Sequence, residues 1–224
     1  MSWQVLFAIN KELYLRNPDD SPLGRKIVSE SIVLINEIGF EDFTFKKLAQ
    51  RIETTEAGVY RYFENKHRLL QYLVSWYWRW MEYQVTFHTN NIVEPWRKID
   101  IVIETLLLKK ADKLKFDNGF SITDLHEMVV REAPKSFMTR NVTEDNKKLL
   151  FKPYKDLCRL IAEIFLEFNP KLKYPRTVAS TLLEMAQQQY FFMNHLPSLT
   201  DFSQSEAGSE PEGYLKFFVK KCLI

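Results

Sequence analysis

Between Thr44 and Lys66 the chain gathers Thr44, Lys46, Thr55, Tyr60, Arg61, Tyr62 and Lys66. Hydroxyls, phenols and cations are the groups that hold phosphate oxygens, and an arginine can also read guanine from a major groove. Among them sit Ala57, able to touch a thymine methyl, and Gly58, which lets backbone approach a phosphate closely. Glu56 has two readings: a first-turn carboxylate favoured by a helix dipole, or an acceptor for the cytosine amino group. Other chemistries lack their residues. His88, His126 and His195 have no metal-ligand spacing, and Leu125-His126-Glu127-Met128 lacks the second histidine of HExxH. No GxSxG, GxxxxGK[ST] or GxGxxG occurs, so neither an enzyme nor a bound cofactor is expected. The two cysteines, Cys158 and Cys222, form no CxxC, which excludes a disulfide scaffold and a Cys-rich zinc site.

Helical spacing must position these groups. Apolar residues recur at helical intervals through Ile27, Leu34, Ile35 and Ile38, with Gly39 ending that helix. Thr44 can cap a short helix carrying Phe45, Leu48, Ala49 and Ile52; Thr55 heads a third with Val59 and Phe63. Asn65 can cap a long fourth helix with Leu69, Leu70, Leu73, Trp76, Tyr77 and Trp80. Three short helices with a tight turn between the second and third form a helix-turn-helix, whose protruding third helix fits a major groove about 12 Å wide. Further helices are expected at 95–114, 121–133, 143–168, 174–195 and 210–223, with a loop over 198–213. The predicted fold is all-α: a helix-turn-helix DNA-binding domain (21–70) joined by a long helix to a helical ligand-binding and dimerisation domain (71–224).

The run Gly58-Val59-Tyr60-Arg61-Tyr62-Phe63-Glu64-Asn65-Lys66, with Thr44, Leu48-Ala49, Thr55, Ala57 and Leu69-Leu70, resembles the TetR family of bacterial transcription regulators. The resemblance implies a homodimer that binds a palindromic operator and answers to a small effector, most relatives being repressors. It implies phosphate contacts for Tyr60 and Lys66. Three positions depart from the family pattern: Glu53 stands where glycine is usual, Thr54 where an apolar residue packs the turn, and Glu56 puts a carboxylate near the groove. Residues 21–72 carry eight bases against seven acids, a net charge of +1. That is low for phosphate neutralisation, so a hydrophobic-ligand-binding protein of the same fold, without DNA binding, is the alternative.

The aromatic stretch Trp76-Tyr77-Trp78-Arg79-Trp80 also has two readings. Trp76, Trp80 and Tyr83 share a helical face, with Trp78 pointing away; with Phe87 and Phe120 they either wall a pocket for an apolar or aromatic effector or fill a core. Leu182, Met185, Gln189 and Phe192, with Tyr214, Phe217 and Phe218, leave more than one helix face apolar, as a dimer interface needs; deeper burial in one subunit is the other reading. Residues 1–20 form an extension, either an extra helix over 3–15 strapped on the core or an arm near DNA. Six glycines in 224 residues leave few positions for the tight turns that a chain of many short strands needs. The longest apolar run, Ile101 to Leu108, contains Glu104 and no signal peptide is evident, so no membrane partner and a cytoplasmic location are expected.

Overall fold

The computed structural model describes residues 7–109, 120–203 and 211–224. It is helical, in the order α1 (Pro22–Asp42), α2 (Phe45–Arg51), α3 (Glu56–Tyr60), α4 (Lys66–Thr89), α5 (Pro95–Leu106), α6 (Ile122–Glu132), α7 (Pro134–Phe137), α8 (Val142–Lys147), α9 (Lys152–Phe168), α10 (Pro175–His195) and α11 (Glu212–Leu223). The chain divides into two compact units. The first comprises residues 1–78 and 111–153, the second 79–110 and 154–224, so the chain passes from one to the other within α4.

In the first unit the local signals act as their chemistry requires. The Ser21 hydroxyl accepts from Gly24 N–H and Pro22 sits at the first position of α1. Helix α1 bends sharply at Gly39, whose φ of 76° lies in the left-handed region. Asn65 Oδ1 accepts from Arg68 N–H to start α4. Ile27, Ile32, Ile35, Leu48, Val59, Phe63, Leu69 and Leu70 are buried and form the core of the three-helix module. Helix α6 packs on α1. There Asn36 Nδ2 donates to the Asp124 carbonyl at 2.8 Å, and Phe40 N–H donates to the Glu132 carboxylate at 3.2 Å. Asp145 of α8 accepts from Arg68 (3.0 Å) and Gln71 (2.9 Å) of α4. Residues 120–153 thus fold with the helix-turn-helix rather than with the later helices.

The second unit is built on α5, α9, α10 and α11. Ile99, Val102, Ile103, Leu157, Ile161, Phe165, Leu183, Leu215 and Val219 are buried in it. Lys98 pairs with Glu167, and the Tyr154 hydroxyl donates to Glu184 at 2.6 Å.

Three expectations change. The expected helix over 143–168 is two helices, broken at Leu149 (φ 59°), and α5 ends at Leu106, just before Leu108 (φ 53°). Part of the expected loop, 204–210, lies outside the described residues. Among the described residues the amino-terminal segment is no helix. Its first six residues also lie outside the described set, and the rest is extended, with short 3-10 turns at Lys11–Leu13 and Pro18–Asp20. Tertiary anchors override its helical spacing: Leu13 and Ile9 are buried, and Leu15 N–H donates to the Tyr62 carbonyl at 2.8 Å. Where this strap crosses α1, a Cβ on Gly24 would stand 2.2 Å from the Pro18 carbonyl oxygen. Trp78, like Trp76, is buried. All side chains of Tyr72–Trp78 are buried, because α4 is enclosed on every side there.

Candidate nucleic-acid interface

The turn between α2 and α3 is a Schellman motif. Thr54 N–H donates to the Ala49 carbonyl (2.9 Å) and Glu53 N–H to the Gln50 carbonyl (3.4 Å), with Glu53 at φ 57°. This explains why glycine would suit position 53: the motif needs a left-handed residue there. Ile52 is buried beneath the turn, and its carbonyl accepts from Lys26 Nζ at 3.2 Å. Thr44 and Thr55 cap α2 and α3 as their positions predict, accepting from Lys47 and Gly58 N–H.

Helix α3 is divided cleanly. Gly58 and Val59 face inward, while Glu56, Ala57, Tyr60 and the following Arg61 are exposed. Gly58 is packed tightly: a Cβ would lie 3.1 Å from Thr54 Oγ1. Tyr60 is 47% exposed, yet its ring stands edge-on to Phe45 at 4.9 Å, which fixes its direction from α2. Two of the expected contact residues sit elsewhere. Tyr62 is 3% exposed and its hydroxyl lies 2.7 Å from Ser21 Oγ, so it is a packing residue and not a surface contact. Lys66 Nζ donates to the carbonyls of Phe40 (3.0 Å), Glu41 (2.9 Å) and Phe43 (3.2 Å). An ammonium has three N–H donors, so all three of them close the carbonyl end of α1 in this structure.

The other bases of the module are also largely committed. Arg51 pairs with Glu30 (2.7 Å) and Glu37 (2.6 Å), and these hydrogen bonds hold its guanidinium more firmly protonated and depress the Glu37 carboxyl. Lys47 donates to the Asp42 carbonyl, Arg25 to that of Asp19, and Arg68 to Asp145. Lys46 and Arg61 are exposed and make no such bond among the described residues. Sequence reasoning could not sort these eight bases, because their partners are carbonyls and carboxylates brought near by the fold.

The aromatic set is divided between the two units. Trp76 and Phe120 belong to the first unit, are buried, and pack edge-on at 5.0 Å, and Phe7 packs edge-on to Trp76 at 5.1 Å. Trp80, Tyr83 and Phe87 belong to the second unit; Tyr83 and Phe87 stack at 5.9 Å and Phe87 is 63% exposed. Of the expected dimer residues, Leu182 is fully buried in its own unit, and the Gln189 side chain accepts from the Thr200 hydroxyl at 2.7 Å. Tyr214 and Phe217 are exposed, and Met185, Phe192 and Phe218 are half-buried.

Residues 27–73 match the family model described as bacterial regulatory proteins, tetR family. Among solved structures, the chain is similar to the fatty acid degradation regulator FadR from Bacillus halodurans, at 15% identity and a TM-score of 0.60, over 88% of this chain and 93% of that one. It is also similar to AibR in complex with isovaleryl coenzyme A and operator DNA, at 15% identity and a TM-score of 0.57, over 89% of this chain and 96% of that one. No curated protein sequence matches. Among the described residues no helix is long and apolar enough to cross a membrane.

Proposed function

We propose that this chain, which carries a DNA-binding domain of the TetR family, is an effector-responsive transcription regulator that binds a two-fold symmetric operator as a homodimer. The observation that carries the reading is the division of α3: its inward face is buried in the three-helix core, and Glu56, Ala57, Tyr60 and Arg61 are left on the outer one. Arg61 is placed to read guanine and Ala57 a thymine methyl, while Thr44, Lys46, Thr55 and Tyr60 hold flanking phosphates. Two such helices must be presented together, and the partly exposed Met185, Phe192, Tyr214, Phe217 and Phe218 of α10 and α11 are the apolar surface for pairing. The action is repression relieved by ligand. An effector that prefers the DNA-incompetent state shifts the population away from DNA, and operator binding must weaken effector binding by the same factor. Trp80, Tyr83 and Phe87 favour an apolar or aromatic effector, and the acyl thioester in the AibR complex gives the first compound to try.

The test is selection of bound sequences from a random duplex pool, with dimerisation followed by sedimentation. A palindrome with half-sites about one helical turn apart supports the reading. Absence of binding at low salt rejects it and favours the second reading, a hydrophobic-ligand-binding protein without DNA binding. That second reading is favoured by one observation, the internal use of most of the module's bases.

A further inference from the structure

Lys66 gives its three N–H groups to carbonyls, which leaves Arg61 as the exposed cation of the turn that closes α3. The amino-terminal strap brings a second one beside it. Leu15 N–H donates to the Tyr62 carbonyl at 2.8 Å, in the residue next to exposed Arg61. The following residue, Arg16, is exposed and holds its guanidinium 5.5 Å from the centre of the Tyr62 ring. That ring is itself fixed by the bond between its hydroxyl and Ser21. Of the nearby acids, Asp20 accepts from Asn17 at 2.9 Å, and the backbone carbonyl of Asp19 accepts from Arg25. Arg16 forms no ion pair with either among the described residues. A guanidinium stacked on a ring loses less freedom when a ligand binds, and its outer N–H groups stay available.

We infer that Arg16 is a DNA phosphate contact, held by the strap beside the recognition helix. The assignment rests on the DNA-binding reading above. It makes the strap part of the binding surface and not only a brace for the core.

The experiment measures binding of the full chain to random-sequence duplex DNA across a salt series, for the native protein, Arg16→Ala and Arg16→Lys, with melting temperatures alongside. Arg16→Ala should weaken binding several-fold at low salt and lower the slope of log affinity against log salt by about one unit, and Arg16→Lys should restore the slope. If Arg16→Ala lowers the melting temperature but keeps the native slope, the residue only packs on Tyr62 and the inference fails. It fails equally if affinity and slope are both native. A native protein that binds no duplex at any salt overturns the regulator reading itself, and Arg16's role with it.

Discussion

The Lys66 ammonium lies 3.0 Å from the Phe40 carbonyl oxygen and 4.8 Å from the centre of the Phe40 ring. One side chain at the start of α4 thus closes the end of α1 and sits on the face of its last aromatic residue. The contact ties the first helix of the binding module to the fourth.

Lys66→Ala should therefore act on folding. It removes donors from three carbonyls and should destabilise the chain by about 1–3 kcal/mol. The salt dependence of DNA affinity should keep its native slope. Urea unfolding and a binding titration read the two effects separately; a slope lowered by a full unit would return Lys66 to the phosphate contacts.

Glu53→Gly should stabilise. The left-handed conformation costs a residue with a Cβ roughly 1–2 kcal/mol, of which the greater freedom of glycine in the unfolded chain returns about 0.5–1 kcal/mol. The net gain should raise the melting temperature by roughly 2–4 °C in a chain of this size. Removing a carboxylate from the turn should also improve affinity for any duplex. A lower melting temperature would mean that Glu53 makes a compensating contact.

Arg61→Ala should leave stability unchanged, because the side chain is exposed and unpaired among the described residues. Preference at one or two operator base pairs should fall by about 1–3 kcal/mol. Competition between the selected operator and single-base variants measures this. Native discrimination at every position would remove Arg61 from base reading.

Stability should depend on pH through His126. The imidazole is buried with Nδ1 2.7 Å from the Tyr77 hydroxyl, and burial pushes its pKa down to about 4. The unfolded chain takes up a proton near pH 6.5, the folded chain only near 4, so stability is full above 6.5 and falls as pH drops through that window. The loss attributable to this group is roughly 3 kcal/mol. Urea midpoints between pH 7 and pH 4.5 should fall less steeply for His126→Gln than for the native chain, even though the variant starts lower. Parallel profiles would assign the pH dependence to other groups.

What the sequence made legible was local. Thr44, Thr55 and Asn65 cap the helices they precede, since a cap needs only a hydroxyl or amide and the next three N–H groups. The buried stripe through Leu48, Val59 and Leu69 likewise follows from helical spacing. What stayed hidden depended on residues far apart in the chain. Tyr60 and Tyr62 differ by two positions, yet only the fold decides that one reaches solvent and the other Ser21. Lys66 reads as a free cation until the end of α1 is brought beside it. The even burial of Tyr72–Trp78 erases the faces that periodicity assigns to Trp76 and Trp78, because α4 has neighbours all round. At residues 3–15 the apolar spacing is helical, but Leu13 gains more from a socket in the core than from a helix with one short apolar edge.

The close crossing of Gly24 and Pro18 is one latch of the amino terminus, beside buried Leu13 and the Leu15–Tyr62 bond. One methyl group at position 24 would collide with backbone, which cannot swing aside as a side chain does. Gly24→Ala would therefore have to lift residues 15–20 off the first helix while leaving the remaining helices of the module able to assemble. An engineer could use that one carbon atom to undo this latch without cutting the chain.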